Sequence, residues 1–174
     1  MGHVERHAVQ RHNQMICFDD GADRFQMRAA GIAIRDGRVL VQNIKGDPTI
    51  FIPGGRIDQN ESSVETVVRE IEEEFGRTVE VGALLFVIES FYPQNAQLFH
   101  EVGFYYRMDV PDDFPYHESD ICHRCFEGPV EMEYRWVSAT EASLTAATFY
   151  PLPLRPRLAT LPTSTVHILD HYPR

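Results

Sequence analysis

Residues 54–76 read GGRIDQNESSVETVVREIEEEFG, and this stretch decides the fold. Ser62 followed by Glu65 has the spacing of a capping box, and Val64, Val67, Val68, Ile71 and Phe75 recur at helical spacing, so one stripe can pack on a core. Gly76 supplies the stop. The helix then crowds Glu70, Glu72, Glu73 and Glu74 into its last turns, at the negative end of the backbone dipole where carboxylates are disfavoured. At 100° per residue, Glu73 lies about 60° to one side of Glu70 and Glu74 about 40° to the other. The three share an arc of roughly 100°, and the apolar stripe is centred about 110° to 120° from its middle, which lets the helix anchor in a core while the acids face a cleft. A divalent cation removes the repulsion, because hard cations such as Mg²⁺ take carboxylate and phosphate oxygens. A solvated charged face, with Arg69 pairing Glu73 at i, i+4, accounts for the spacing alone equally well.

Working outward, the 174-residue chain is long enough for one well-cored domain and short for two. Its net charge of −10 disfavours a surface that neutralises the phosphates of duplex DNA or long RNA, capped messenger RNA included. A small phosphorylated ligand bridged by metal ions stays compatible. No apolar run approaches the roughly 20 residues needed to span a bilayer, and the start MGHVERHAVQRHNQ has neither the apolar segment of a signal peptide nor a myristoylation pattern. The expected location is the cytoplasm, without membrane partners. Cys17, Cys122 and Cys125 are an odd count, read as reduced thiols. The segment CHRC has the spacing of half a zinc site and lacks a second half, and His3, His7 and His12 read as a solvated tail.

Before the acidic stretch, MRAAGIAIRDGRVLVQNI predicts two strands joined at Asp36-Gly37, and IFIP predicts a short strand. After it, TVEVGALLFVIESFY predicts one or two strands and LFHEVGFYYRMDV another, with PQNAQ as the loop between. Residues 111–128 show no steady period and predict a long surface excursion bordering a binding site. EYRWV reads as a strand, SATEASL as a helix, and LRPRLATL as a short helix with proline in its first turn. Strands and helices do not alternate strictly, which favours a mixed sheet with helices packed on it.

The spacing of Gly55, Glu61, Arg69, Glu70, Ile71, Glu73, Glu74 and Gly76 resembles the Nudix box at each of these positions. One departure is Arg77 at the final apolar position, with Val79 available for the packing role. The resemblance covers about residues 27–145 and implies an α/β fold, a Nudix-type α/β/α sandwich with a mixed sheet. An N-terminal arm (1–26) and a C-terminal tail (146–174) would flank that core in a single domain.

By that likeness Glu70, Glu73 and Glu74 bind Mg²⁺, with Mn²⁺ a possible substitute. Glu61 and Arg69 brace the loop against the helix, and Gly55 permits a tight turn. The implied activity is hydrolysis of a pyrophosphate linkage in a nucleoside diphosphate derivative, with water attacking phosphorus in line. Glu70 and Glu101 are both candidates for the general base, Glu101 also for a further metal ligand. Arg69, Phe91, Tyr92 and Tyr105 are candidate substrate contacts, as is Tyr106 for stacking; strand aromatics are more often core. His100 reads as a surface or supporting residue. Pro93 leans slightly toward ADP-ribose, while nucleoside triphosphates, sugar nucleotides and dinucleoside polyphosphates stay open. A homodimer is compatible with the family. The rival readings are a catalytically silent nucleotide-sensing or interaction module on the same fold, and a zinc-stabilised interaction domain built on Cys122 and Cys125.

Overall fold

A computed structural model describes residues 14–172; the histidines at 3, 7 and 12 lie outside them. Asp36 and Gly37 both take positive φ, 50° and 68°, and form the tight turn their types favour. They join β3 (Ile34–Arg35) to β4 (Arg38–Ile44). The strand before them behaves differently from the sequence reading. β1 (Cys17–Asp20) and β2 (Asp23–Ile32) belong to another sheet, so the chain crosses between sheets at Ala33 and only the two residues of β3 pair back on β4. Short β5 (Ile50–Phe51) and β6 (Gly54–Arg56) then lead to α1 (Ser63–Phe75).

After α1 come two long strands, β7 (Glu80–Gln94) and β8 (Gln97–Asp109). The expected PQNAQ loop is a two-residue turn, because Asn95 and Ala96 both adopt positive φ and let Pro93, Gln94 and Gln97 stay in strand. Within 111–128 the structure also contains β9 (Ile121–Glu127), which pairs antiparallel with β10 (Val130–Ser138). β9 is an edge strand with a register shift and few buried side chains, so it lacks the alternation that announces a strand. The chain closes with α2 (Glu141–Ala146), β11 (Phe149–Tyr150), a 3₁₀ turn at Leu152–Leu154 and β12 (Val166–His171). The residues read as arm and tail therefore contribute strands at both ends.

The first sheet has the order β1-β2-β8-β7-β12, with β6 on β2, and the second β11-β5-β4-β10-β9, with β3 on β4. Each contains parallel and antiparallel pairs, so the expected mixed α/β architecture is present. Two cores flank the sheets. Val67, Ile71 and Phe75 of α1 pack with Ala29, Leu40, Tyr134 and Trp136, whereas Leu144 of α2 and Leu154 pack with Val41, Phe86, Ile88 and Phe149. On α1, Thr66 is buried while Val64 is 40% exposed, a small rotation of the stripe that the Thr66 hydroxyl tolerates by donating to Glu61 and to the Ser62 carbonyl. Val79 is buried, filling the packing role that Arg77 leaves. No helix among the described residues is long and apolar enough to cross a membrane.

The packing of the C-terminal 3₁₀ turn carries a prediction. Leu154 is fully buried, so Leu154→Ala should cost about 2–5 kcal/mol in urea unfolding, the range for an aliphatic core truncation. A dispensable tail would show a change near zero.

Candidate active site

The acidic helix is fixed at both ends. Ser62 Oγ accepts from the Glu65 amide at 3.2 Å and the Glu65 carboxylate accepts from the Ser62 amide at 2.8 Å, the reciprocal pair expected. At the other end Gly76 takes φ 61° and donates its amide to Glu72 O. His123, from β9, donates Nε2–H to the Glu74 carbonyl at 2.7 Å and stacks on Phe75 at 4.5 Å, satisfying a carbonyl the helix leaves open.

Arg69 sits at the centre of the charge network. Its Nε and Nη2 grip both oxygens of Glu61 at 2.7 and 3.0 Å, its Nη1 holds Glu70 Oε1 at 2.7 Å and Glu73 at 3.3 Å, and Nη2 also reaches the Arg56 carbonyl at 3.2 Å. Glu61 accepts further bonds from Thr66 Oγ1 and the Asp58 amide, which ties the loop to the helix. Burial alone would raise the Glu61 carboxyl, but the bonds from Arg69 and Thr66 outweigh it and hold it below its ordinary value. Glu70 moves the other way. Its desolvation exceeds the help from Arg69, so its carboxyl is raised despite the ion pair.

Gly55 serves a purpose other than the tight turn expected of it. It pairs with Ala29 inside the sheet, and a Cβ there would lie 2.0 Å from Glu70 Oε1, so its missing side chain is the space the Glu70 carboxylate occupies. The left-handed residue is its neighbour, Gly54, at φ 149°. Gly55→Ala should therefore lower the melting temperature modestly, as the displaced carboxylate gives up its bond to Arg69, while lowering kcat about tenfold or more as Glu70 leaves its position. A fully active variant would show that the Glu70 placement is immaterial.

Glu70, Glu73 and Glu74 open onto one cleft of about 540 Å³, which Arg28, Gln42 and Arg69 also line together with Cys125 to Gly128. The long excursion thus borders the cleft, as the hairpin of β9 and β10. Glu73 is 59% exposed. Glu74 is the costly one. The nearby Tyr134 hydroxyl contacts Cys125 Sγ at 3.6 Å, and Glu74 Oε2 is buried without a hydrogen bond among the described residues. Burial, with the charge of Glu70 adding to it, pushes the Glu74 carboxyl up to about 8.

Among the described residues no three His, Cys, Asp or Glu side chains are already drawn into a metal-ligand set. The donor chemistry nevertheless fits a hard cation, since three carboxylates of one helix face reach one cleft and one carries an orphaned buried oxygen. The two thiols suit zinc poorly. Burial raises both, Cys122 to about 11, and each sulfur already engages Tyr134, Cys122 through the carbonyl and Cys125 through the hydroxyl.

Glu101 lies on β8 opposite Gln26, and its Oε2 accepts from Gln26 Nε2 and from the Tyr92 hydroxyl. It is bonded to these two rather than to the helix acids. Tyr105 is only 4% exposed and packs in the core, and Tyr106 is spent on a 2.6 Å bond with Ser63, so neither offers a free ring face. Strand alternation puts Phe91 on the opposite side of the sheet from Tyr92, where it stacks between His100 and His171. Neither Phe91 nor Tyr105 lines the carboxylate cleft; Phe91 and Tyr92 line a second cavity of about 490 Å³. Arg28 and Gln42, which line the cleft, were missed, because alternation says that a strand residue faces one side without saying what comes to lie opposite.

The likenesses to solved structures are distant. A MutT protein from Bacillus halodurans is 17% identical over 84% of this chain and 90% of its own, with a TM-score of 0.59, and carries the fold alone. A MutT Nudix hydrolase from Burkholderia pseudomallei is 23% identical over 71% and 95%, TM-score 0.48. An ADP-ribose pyrophosphatase from Streptococcus suis is 14% identical over 83% and 98%, TM-score 0.47. None of the curated proteins shows a significant match. The profile of the NUDIX domain, by contrast, matches residues 25–158, from β2 through the braced helix to the buried Leu158, and on that match the chain belongs to the NUDIX family.

Proposed function

We propose that this Nudix pyrophosphohydrolase, a single domain over residues 1–174, uses Mg²⁺ or Mn²⁺ to cleave a small nucleotide: a nucleoside triphosphate, ADP-ribose, a sugar nucleotide or a dinucleoside polyphosphate. The observation that carries the reading is the convergence of Glu70, Glu73 and Glu74 on one cleft, with Glu74 Oε2 buried and unpartnered among the described residues. These three side chains would hold the cation, which when bound neutralises charge on the leaving phosphate and acidifies water. Arg69 fixes Glu70 through its 2.7 Å bond and is itself locked by Glu61. Arg28 anchors the cleft wall, donating to the Ile52 carbonyl at 3.1 Å, and meets substrate phosphate with its remaining donors. Glu70, held in the cleft by Arg69, takes the proton as water attacks phosphorus in line. The net charge of −10 supports a small substrate over a polynucleotide.

The test is a panel of these nucleotides incubated with protein and Mg²⁺ or Mn²⁺ in ¹⁸O water. The expected result is metal-dependent release of two phosphate-bearing products, with the isotope in one of them. Inertness toward every member overturns the reading in favour of a silent sensor on the same fold.

A further inference from the structure

Next to the carboxylate cleft, the first sheet carries a row of polar side chains that the hydrolytic step leaves unused. β2 and β8 run parallel with Gln26 opposite Glu101 and Arg28 opposite Gly103, and Ser90 of β7 lies on the far side of Glu101. Alternation then places Arg24, Gln26 and Arg28 on one face with Phe99, Glu101 and Tyr92. Arg28 lines the cleft, and one two-residue step, about 7 Å, separates it from the Gln26 and Glu101 pair.

That pair is half satisfied. Gln26 Nε2 donates to Glu101 Oε2, and the Tyr92 hydroxyl donates to the same oxygen at 3.3 Å. Glu101 Oε1 has no hydrogen bond among the described residues. Gln26 is only 7% exposed, and its amide oxygen has no partner among the described residues either. A buried acceptor without a donor is costly and invites an explanation. An unbonded carboxylate oxygen and an unbonded amide oxygen on two paired residues match a ligand that presents two adjacent donors and no charge of its own. A ribose diol is such a group, and its reach from a 5′-phosphate is of the same order as one strand step.

We propose that Glu101 and Gln26 form a ribose subsite, accepting the 2′- and 3′-hydroxyls of a ribonucleotide whose phosphates lie at Arg28. The inference rests on the hydrolase reading above and narrows it to ribonucleotides. Glu101 is then a recognition residue rather than a base. Tyr92 is a positioning residue that orients its carboxylate. One further step along the same face, Arg24 lies over the Phe99 ring at 5.6 Å and Tyr92 stacks on Phe99 at 5.1 Å, which closes that end of the row.

The test uses the full chain with Mg²⁺. Calorimetric titration should show ADP binding about tenfold or more tightly than 2′-deoxy-ADP and 3′-deoxy-ADP, the loss expected for a hydrogen bond to a charged group. Equal affinity overturns the subsite. In Glu101→Gln, with the melting temperature checked, the ratio of kcat/KM for ATP over dATP should collapse toward one, the change falling on KM for ATP. An equal fall in kcat for both nucleotides makes Glu101 part of the chemistry and also overturns it. Turnover without ribose preference sinks the subsite alone, whereas absence of any nucleotide turnover sinks the hydrolase reading and the subsite with it.

Discussion

Glu74→Gln should lose about three orders of magnitude in kcat and yet be the more stable protein at pH 8 in the presence of a chelator. The first effect follows from the several kcal/mol of charge stabilisation that a bound cation supplies, at 1.36 kcal/mol per tenfold. The second follows from burial. A carboxyl with a folded value of about 8, against 4.5 in the unfolded chain, binds more protons when folded throughout that window. Its contribution to stability is full below pH 4.5 and lost as pH rises toward 8, by up to about 1.4 kcal/mol per unit. Thermal melts of the chelated wild type should therefore fall across this range, Glu74→Gln should flatten the decline, and Mg²⁺ should restore the wild type at pH 8. Melts that are flat with pH, or a Gln variant that hydrolyses normally, would remove Glu74 from the metal site.

Arg69→Met is expected to destabilise the fold by about 3–5 kcal/mol, the cost of leaving buried charges without their partner. The Glu61 and Glu70 side chains are 12% and 16% exposed, and both lose their main donor. Lysine should rescue little, because a single ammonium cannot reproduce the fork that holds Glu61 by two bonds and Glu70 by a third. Urea unfolding of Arg69→Met and Arg69→Lys measures both. A loss below 1 kcal/mol would make the cluster an ordinary surface ion network.

The helix was legible because its signals are local. Ser62 and Glu65 cap it by bonding within four residues, Gly76 ends it by its own backbone freedom, and three glutamates share a face by helical period alone. The elements that were misread depend on distant partners. β9 is an edge strand recognisable only through β10, and PQNAQ looked like a loop because a strand that runs into a two-residue turn carries the same residues. β12 shows half-buried alternation, but its place beside β7 is set by a chain segment about 80 residues away.

The site divides along the same line. The amino-acid order by itself determined the acidic helix and its caps, since each rests on spacing within sixteen residues, and the resemblance to the Nudix box implied the brace between Glu61 and Arg69. Tertiary structure alone decided that Gly55 is the room for Glu70, that Arg28 and Gln42 share the cleft, and that Tyr92 turns toward Glu101 while Phe91 turns away. Periodicity tells a strand residue which neighbours share its side. Which residues fill the space across from it depends on how sheets register and pack, and that is a property of the whole chain.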